Sequence, residues 1–269
     1  GHRLVQSDLA KTLRAIAQRG ADGFYKGAVG KAIVASSAAG KGIIAQADLD
    51  QYRTRELAPI ECDYRGYGIV SAPPPSSGGV IICEILQVLE GYPLKELGFR
   101  SAQAVHYQIE AMRHAYLARN TYLGDPDFVK NPLERLLDKG YAAKIRAAID
   151  AQQAGVSKDL KPGLPPHEGT TTTHYSIIDR HGNAVAVTYT INDWFGARVT
   201  AAGTGVLLNN EMDDFTVKVG VPNLYGLVQG EVNAIAPGKR PLSSMSRSLA
   251  SDSTRTITVA WSTSAIACG

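Results

Sequence analysis

The stretch that decides the fold is residues 170–214, TTTTHYSIIDRHGNAVAVTYTINDWFGARVTAAGTGVLLNNEMDD. Its runs 172–179 and 183–190 alternate apolar and polar residues on either side of the turn sequence Arg-His-Gly. β-Branched and aromatic residues that alternate around a short loop containing glycine predict a β-hairpin. We therefore expect an antiparallel pair of strands at this point of the chain.

The register of this hairpin brings two hydroxyl groups together. If the loop is centred on His181, antiparallel pairing joins residues whose numbers sum to 362, twice 181, so that Thr172 faces Thr190. Both side chains then share one face at the open end of the hairpin, and Asn192 follows just beyond. This end is a candidate site, although threonine is also an ordinary strand residue.

The composition excludes several classes of protein. The 269 residues, 44% hydrophobic and 20% charged, suit one large or two small domains of an ordinary soluble globular chain. A net charge of +3 is too weak to argue for nucleic acid or an anionic membrane, and no apolar run approaches the ~18 residues that span a bilayer. The first residues enter a helical pattern without a secretory signal, so the chain is either cytosolic or lacks its true start.

The three cysteines, Cys62, Cys83 and Cys268, lack the spacing of metal ligands. Because their count is odd, we expect no disulfide framework, and they do not fix the cellular compartment.

Apolar residues at helical spacing predict a mostly helical first half. Ser7 is the expected N-cap of the first helix, and Gly20 is expected to end it. A long amphipathic helix is predicted at 102–122 and a strand at 64–71, while the loop PPPSSGG at 73–79 is expected to seat a buried helix opened by its glycines. Shorter helices are predicted at 28–37, 48–52, 131–137 and 142–153.

The character of the chain changes at 156–169, where Lys, Pro, Gly and His dominate and no periodicity survives. This segment is expected to be a linker or an exposed loop. Beyond it the chain is β-rich, with the hairpin and further strands predicted at 205–208 and 256–261. Helices followed by strands, without steady βαβ alternation, predict a layered α+β architecture.

A threonine at the start of a strand is the chemically interesting feature of this change. Its hydroxyl is a weak nucleophile unless a base lies beside it, and one solution is an N-terminal threonine whose own α-amine is the base. The amine's pKa of roughly 7.7–8.0 suits proton transfer near neutral pH. A linker that runs directly into a strand-leading threonine fits such a system, although most threonine-rich strand starts are only strands.

Two downstream motifs fit an amino-acid head group. The motif NNEMDDF at 209–215 places three carboxylates after an apolar strand, and PLSSMS at 241–246 adds a cluster of hydroxyls. Carboxylates suit an ammonium, while serine hydroxyls or backbone N–H groups suit a carboxylate. Either motif alone is more often a solvated acidic turn or a serine-rich loop.

Together these motifs resemble γ-glutamyltranspeptidase. The matching segments in the second half are TTHYS (172–176), GNAVAVTYTIN (182–192), LLNNEMDDF (207–215), PNLYGL (222–227) and KRPLSSMS (239–246). Those that resemble the large subunit of the same family are DYRGY (63–67), PPPSSGG (73–79) and YLGDPDF (122–128). The resemblance runs from near residue 4 to about Ser246, with the motifs in family order.

The resemblance implies an N-terminal-nucleophile hydrolase, an α+β protein with an αββα four-layer sandwich, here incomplete. It implies a proenzyme that cleaves itself between Thr171 and Thr172, with Thr170 and Thr171 as rival positions, into a large-subunit segment 1–171 and a small-subunit segment 172–269. Thr172 would attack the γ-amide of glutathione or another γ-glutamyl compound, with its free amine as general base. The resulting γ-glutamyl ester would pass to water or to an acceptor amino acid or peptide.

The family motifs also imply roles for the other site residues. Thr190 would orient the nucleophile, and Tyr225 would belong to a lid loop and bond to Asn192. The residues implied to hold the substrate's α-amino group are Asn192, Glu211 and Asp214, and those implied to hold its α-carboxylate are Ser243 and Ser244. The resemblance implies no cofactor, metal or nucleic-acid partner, and it favours the periplasm or the cell exterior.

The sequence departs from the family pattern after Ser246. The part of family chains that precedes this segment carries a signal and an arginine that clamps the substrate carboxylate. A Gly-Gly turn that supplies the oxyanion hole is expected after a further strand, but residues 247–269 read RSLASDSTRTITVAWSTSAIACG. A lost oxyanion donor typically costs about 10²–10³ in rate, so the isolated polypeptide is expected to be poorly active or inactive.

Two alternatives stay open. The first is a related acylase of the same superfamily that cleaves glutaryl or cephalosporin amides. Glu211 and Asp214 argue against it, because an acyl group without an α-ammonium has no use for two carboxylates. The second is a truncated, non-enzymatic product.

Other polar residues are expected to have structural roles. PPPSSGG lacks the lysine and the glycine spacing of a phosphate-binding P-loop. Asp125 and Asp127 are expected to cap a turn, and His114 and His174 are expected to pack or to form hydrogen bonds.

Overall fold

The structure, a computed structural model, describes residues 1–156, 172–251 and 256–259. Its helices are α1 (Ser7–Arg19), α2 (Asp22–Tyr25), α3 (Gly27–Ala39), α4 (Gln46–Gln51), α5 (Gly78–Leu89), α6 (Leu94–Leu97), α7 (Ala102–Tyr122), α8 (Leu133–Leu136) and α9 (Lys139–Ala148). Its strands are β1 (Ile60–Tyr64), β2 (Tyr67–Ser71), β3 (Thr173–Ile178), β4 (Ala184–Tyr189), β5 (Thr200–Ala201), β6 (Val206–Leu207), β7 (Ser248–Ser251) and β8 (Thr256–Val259). Two 3-10 turns lie at Glu211–Asp214 and Glu231–Asn233.

The chain divides into two compact units. The first comprises Gly1–Glu56 and Thr190–Asn210, and the second comprises Leu57–Tyr189 and Glu211–Gly269. The predicted linker at 156–169 falls, except for its first residue, outside the described residues. Helices and antiparallel strands are mixed in the described part, in agreement with the expected α+β class.

The first unit is built mainly from α1 and α3. Helix α1 begins at Ser7 with Gln6 at the N-cap position, so the expected cap was wrong by one residue. Gly20 ends the helix with a φ of 59°, and this stop is confirmed because glycine adopts a positive φ without steric cost. The core of this unit contains Val29 and Ile33 of α3 and Ala201 of β5.

The second unit contains a four-stranded antiparallel sheet in the order β1-β2-β7-β8. The predicted strand at 64–71 is confirmed over β2, but its first residues were wrong, because Arg65 and Gly66 turn the chain between β1 and β2. Both residues have positive φ values, 50° and 87°, which suits a two-residue hairpin turn. Strand β7 was not predicted, since its sequence SLAS is short and weakly patterned.

Helices pack on this sheet through a continuous apolar core. Helix α7 has the predicted bounds, and the Ser101 hydroxyl caps it by accepting a hydrogen bond from the Ala104 N–H at 3.1 Å. The predicted helices at 28–37, 48–52 and 142–153 correspond to α3, α4 and α9, and the one at 131–137 shortens to α8. Buried residues of the cluster beneath the sheet are Ile60, Val80, Cys83, Ala118, Leu123, Leu136 and Leu242.

A disulfide joins Cys62 of β1 to Cys83 of α5, with their Cα atoms 6.0 Å apart. The expectation that the cysteines do not pair was therefore wrong. The odd count misled because two of three cysteines can still pair.

The hairpin has the predicted register. Pairs run from Thr173 opposite Tyr189 to Ile178 opposite Ala184, and the numbers of each pair sum to 362. The loop is wider than predicted because the Asp179 carboxylate accepts hydrogen bonds from the backbone N–H groups of loop residues. Those donors are His181 at 2.8 Å and Asn183 at 2.9 Å.

Candidate active site

Thr172, the predicted nucleophile, is half-buried and lies directly before β3. The strand ladder ends one position later, at Thr173 and Tyr189, so the opposition of Thr172 and Thr190 stays a prediction. Thr171 lies outside the described residues, and the cleavage position is likewise a prediction.

Inside the hairpin, His174 takes part in a hydrogen-bond network. Its Nδ1 lies 2.7 Å from the hydroxyl of buried Thr188, and its Nε2 lies 3.1 Å from the Ser176 hydroxyl. The expectation of a hydrogen-bonding role for this histidine is confirmed. His114 on α7 is packed as well, and its burial, followed by the charge of Arg113, lowers its pKa.

The acidic motif folds into the 3-10 turn Glu211–Asp214, which brings two carboxyl groups together. Glu211 and Asp214 share a side-chain hydrogen bond in which Glu211 donates. Burial is the largest cause that raises the pKa of each, and the neighbouring carboxylate of Asp214 raises that of Glu211 further. These two effects favour a pair that shares one proton.

Buried amides hold the backbone of this turn. The Asp214 carbonyl accepts hydrogen bonds from the Asn233 side chain at 2.7 Å and from the Gln229 side chain at 3.3 Å. Asn233 is fully buried, and its Oδ1 accepts the backbone N–H of Leu242 at 3.0 Å. The acidic turn is thereby fastened to the segment that leads into the two predicted serines.

The serine segment is also fastened to the proline-rich loop. The Ser77 N–H and hydroxyl both donate to the Ser243 carbonyl at 2.8 Å, and the Ser243 N–H donates to the Pro75 carbonyl at 2.9 Å. The Ser243 hydroxyl accepts the Met245 N–H at 3.2 Å. PPPSSGG was predicted to seat α5, and it does lead into that helix. It also holds the backbone of the serine segment by hydrogen bonds, which the sequence pattern did not reveal.

Arg119, a buried residue of α7, bonds to Ser244. Its Nη2 donates to the Ser244 hydroxyl at 2.7 Å and to the Leu242 carbonyl at 3.2 Å. Its Nε donates to the Ser77 hydroxyl at 3.0 Å and its Nη1 to Asn120 at 2.9 Å. We did not predict a role for this arginine, because a cation in the polar pattern of a long amphipathic helix gives no local sign of burial.

Two of the predicted site residues lie in the first unit. Asn192 is buried with a φ of 74°, and its N–H donates to the Thr190 hydroxyl at 2.9 Å. The Asn192 side chain donates to the Asn210 carbonyl at 3.1 Å. Thr190 and Asn192 are thus held together, while their relation to residues of the second unit stays a prediction.

The predicted lid segment PNLYGL is tied to the acidic turn. The Leu224 N–H donates to the Asp213 carboxylate at 2.9 Å, and the Asn223 side chain donates to the Asp213 carbonyl at 3.3 Å. The Tyr225 N–H donates to the Asn223 side chain at 3.0 Å. Asp213 is therefore an anchor for this loop, and the bond between Tyr225 and Asn192 stays a prediction.

Residues 1–156, 172–251 and 256–259 contain no group of three or more His, Cys, Asp or Glu side chains that could hold a metal ion. No helix in this part of the chain is long and apolar enough to cross a membrane.

Comparison with known proteins identifies the family. The model of the family described as Gamma-glutamyltranspeptidase matches residues 1–260. The chain belongs to this family. A glutathione hydrolase proenzyme from Pseudomonas sp. (strain A14) is 72% identical over 259 residues, covering 96% of this chain and 45% of that protein. The chain therefore spans less than half the length of this relative.

Solved structures of a γ-glutamyltranspeptidase and of an acylase are similar to the chain. The crystal structure of Helicobacter pylori γ-glutamyltranspeptidase has 42% identity and a TM-score of 0.59, covering 60% of this chain and 46% of that one. The crystal structure of cephalosporin acylase from Bacillus halodurans has 26% identity and a TM-score of 0.75, covering 94% and 43%. Since both enzymes have related folds, the choice between these activities depends on the site residues.

The GDPDF motif of this γ-glutamyltranspeptidase segment has a structural role. Asp127 N–H donates to the Asp125 carboxylate at 3.2 Å, which confirms the expected turn cap. The Asp125 side chain is also fully buried and accepts three hydrogen bonds from Arg240, from its N–H at 2.8 Å, Nε at 3.1 Å and Nη2 at 2.5 Å. This ion pair fixes the start of KRPLSSMS and was missed because its two members are 115 residues apart.

Proposed function

We propose that the chain forms part of an enzyme that cleaves γ-glutamyl amides, such as glutathione, and transfers the γ-glutamyl group to water or to an amino acid or peptide. The observation that carries this proposal is the paired carboxylates Glu211 and Asp214, joined through Asn233 to the serine segment. A site with anionic and hydroxyl groups in one bonded network suits a zwitterionic head group.

The hydroxyl polarity of the two serines supports carboxylate binding. Ser243 Oγ accepts the Met245 N–H, and Ser244 Oγ accepts from Arg119, which has no acceptor atom. Because each serine oxygen already accepts, each O–H hydrogen is left to donate. Two such donors suit the two oxygens of an α-carboxylate. The ammonium would replace the shared proton between Glu211 and Asp214, and Asn192 would complete its ligands.

The reaction itself is assigned to Thr172. After cleavage between Thr171 and Thr172, the new α-amine takes the Thr172 hydroxyl proton while Oγ attacks the γ-carbonyl carbon. The C–N bond breaks, the amine passes the proton to the leaving nitrogen, and a γ-glutamyl-threonine ester forms. Water or an acceptor amine then attacks the ester, and Oγ recovers a proton. Thr190 orients the nucleophile.

We extend this proposal to the whole architecture. The α+β elements would complete an αββα four-layer sandwich, with segments 1–171 and 172–269 as large and small subunits from one precursor. We also propose a periplasmic or extracellular location. The disulfide Cys62–Cys83 supports it, since such bonds persist mainly in oxidising compartments.

Self-cleavage is the first test. Cleavage before Thr172 would give fragments of 171 and 98 residues, the latter being 269 minus 171, and N-terminal sequencing of the smaller one should begin at Thr172. Thr172→Ala should abolish both bands, whereas Thr173→Ala, a matched change at the adjacent exposed position, should retain them. A smaller fragment that begins at Thr170 or Thr171 would move the nucleophile, and a single band in every sample would favour a non-enzymatic product.

Substrate class is the second test. γ-Glutamyl-p-nitroanilide and glutaryl-p-nitroanilide share the terminal carboxylate and differ only in the α-ammonium, which the glutaryl compound lacks. The proposal expects turnover or binding of the first compound only. A preference for the glutaryl compound would instead favour an acylase, the second candidate, to which the likeness to cephalosporin acylase points.

A further inference from the structure

Arg119 is an unusual cation because the interior of the second unit encloses it without a directly paired anion. It is 1% exposed, and each of its four hydrogen-bond acceptors is a neutral oxygen. Among the described residues, no carboxylate lies within salt-bridge distance of its guanidinium, although Asp214 interacts with it electrostatically. Burying a cation is costly unless its charge is compensated, so its position calls for a reason.

The bonds of Arg119 reach both halves of the proposed head-group site. Toward the carboxylate half, Nη2 donates to the Ser244 hydroxyl at 2.7 Å. Toward the ammonium half, the same nitrogen donates to the Leu242 carbonyl, whose residue donates its N–H to Asn233. Asn233 in turn holds the Asp214 carbonyl at 2.7 Å. One residue, Leu242, therefore connects Arg119 to Asn233: its carbonyl bonds to Arg119 and its N–H bonds to Asn233.

We propose that Arg119 is a positioning residue that makes the site selective for ligands with a free α-carboxylate, an inference that rests on the proposed function. It fixes the Ser244 hydroxyl as a donor toward the ligand, because a guanidinium can only donate. Its positive charge, placed directly behind that hydroxyl in a buried environment, favours a negative group on the far side. The ligand's carboxylate supplies the anion that the direct contacts of Arg119 lack.

The same charge acts on the acidic pair. Arg119 favours the ionised form of Asp214, against the effect of burial, and so favours the state that binds an ammonium. A neutral side chain at position 119 would weaken both halves of the site together. A purely structural arginine would contribute to stability without changing the discrimination between charged and neutral ligands.

The first experiment measures this discrimination by calorimetric binding of L-glutamate and of isoglutamine, its α-carboxamide, to the full 269-residue chain. Wild type should prefer L-glutamate by about 10- to 100-fold, the range expected for hydrogen bonds to a charged group. Arg119→Met should lose most of this preference, and Arg119→Lys, which keeps the charge, should retain a larger part. Arg113→Met, which removes another arginine of α7 and its ion pair with Glu110, should lower stability without changing the preference.

The second experiment needs no ligand, which separates this inference from the proposed function. Carbon-13 NMR of labelled carboxyl groups, assigned with Asp214→Asn, would follow the titration of the Glu211–Asp214 pair. Arg119→Met should raise the apparent pKa of Asp214 by about one unit or more, and Arg119→Lys should leave it near the wild-type value. If Arg119→Met is not folded, Arg119→Gln, which retains donors without charge, should give the same upward change.

The outcomes are distinct. Wild type that binds neither ligand would count against the proposed function, while the NMR titration would still decide the role of Arg119. An unchanged titration in folded Arg119→Met or Arg119→Gln, or an unchanged preference for L-glutamate in those variants, would overturn the inference.

Discussion

Binding of an amino-acid head group is expected to release a proton from the Glu211–Asp214 pair. Burial, followed by the charge of Asp214, raises the pKa of Glu211 to about 7. At pH 6 a group with that pKa is protonated in about 10 of 11 molecules, and at pH 8 in about 1 of 11. Burial also raises the pKa of Asp214, to about 6, so that half of its carboxyl groups are protonated at pH 6. Since an ammonium favours two ionised carboxylates, binding should release about 1.4 protons at pH 6, about 0.9 from Glu211 and about 0.5 from Asp214, and about 0.1 at pH 8.

The same linkage determines how affinity depends on pH. The protonated pair must ionise before it binds the ammonium. The affinity for L-glutamate should therefore level off above pH 7, fall about tenfold between pH 7 and pH 6, and fall more steeply, toward about a hundredfold per pH unit, below pH 6. Two neighbouring charges act on this titration in opposite directions: Arg119 lowers the pKa of Asp214, and Asp213 raises it. The direction follows from the pair itself, because burial raises the pKa of both members.

Isothermal titration calorimetry would measure the released proton. At each pH, L-glutamate is titrated in two buffers with different ionisation enthalpies, and the difference in heat gives the number of protons exchanged. Glu211→Gln keeps the shape of the side chain and removes its ionisation, so the release at pH 6 should decrease. Tight binding at pH 6 without proton release, or equal release in wild type and Glu211→Gln, would refute the assignment of the pair as the ammonium site.

Three further predictions concern stability. Burial raises the pKa of Glu84 to about 8 from 4.5, so its contribution to stability should fall as pH rises from 4.5 to 8, by up to about 5 kcal/mol at about 1.36 kcal/mol per pKa unit. Urea unfolding at pH 5 and pH 9 should show a smaller loss of stability in Glu84→Gln than in wild type; the part that remains includes the contribution of Glu211 and Asp214. Arg240→Met leaves the fully buried Asp125 unpaired and should lower the free energy of unfolding by about 3–5 kcal/mol, whereas Asp127→Asn, at a half-exposed partner of the same arginine, should change it by less than about 1 kcal/mol. Reduction of Cys62–Cys83, which are 21 positions apart, should lower it by about 3 kcal/mol, measured by denaturation with and without reductant. The corresponding burial or loop-closure argument would be contradicted by an equal pH dependence of wild type and Glu84→Gln, by an unchanged stability of Arg240→Met, or by equal stabilities of the oxidised and reduced protein.

The elements that could be predicted are those encoded by local patterns. The hairpin register followed from alternation around one loop, and α7 followed from apolar spacing over 21 residues. The Glu211–Asp214 turn was located through a motif, yet its shared proton was not visible in the sequence, because desolvation depends on the surrounding fold. Strand β1 and the disulfide were missed for the same reason, since pairing of Cys62 with Cys83 requires knowing that β1 packs against α5.

The residues that sequence reasoning did not find share one physical property: each belongs to a polar contact with at least one buried member, and its partner is distant along the chain. Arg119 bonds to Ser244 across 125 positions, and Arg240 bonds to Asp125 across 115. Such groups are indistinguishable from solvated charges in a one-dimensional pattern, because only the tertiary structure determines whether water or protein satisfies them. Their effect is nevertheless specific. Arg240 fixes the start of the segment 240–244 through Asp125, and Arg119 fixes its end through Ser244. The two serines predicted to bind a carboxylate therefore lie in a segment that is held at both ends. Resemblance to a family thus predicts which groups bind a substrate, while the groups that fix the geometry and charge of those residues have to be found in the folded chain.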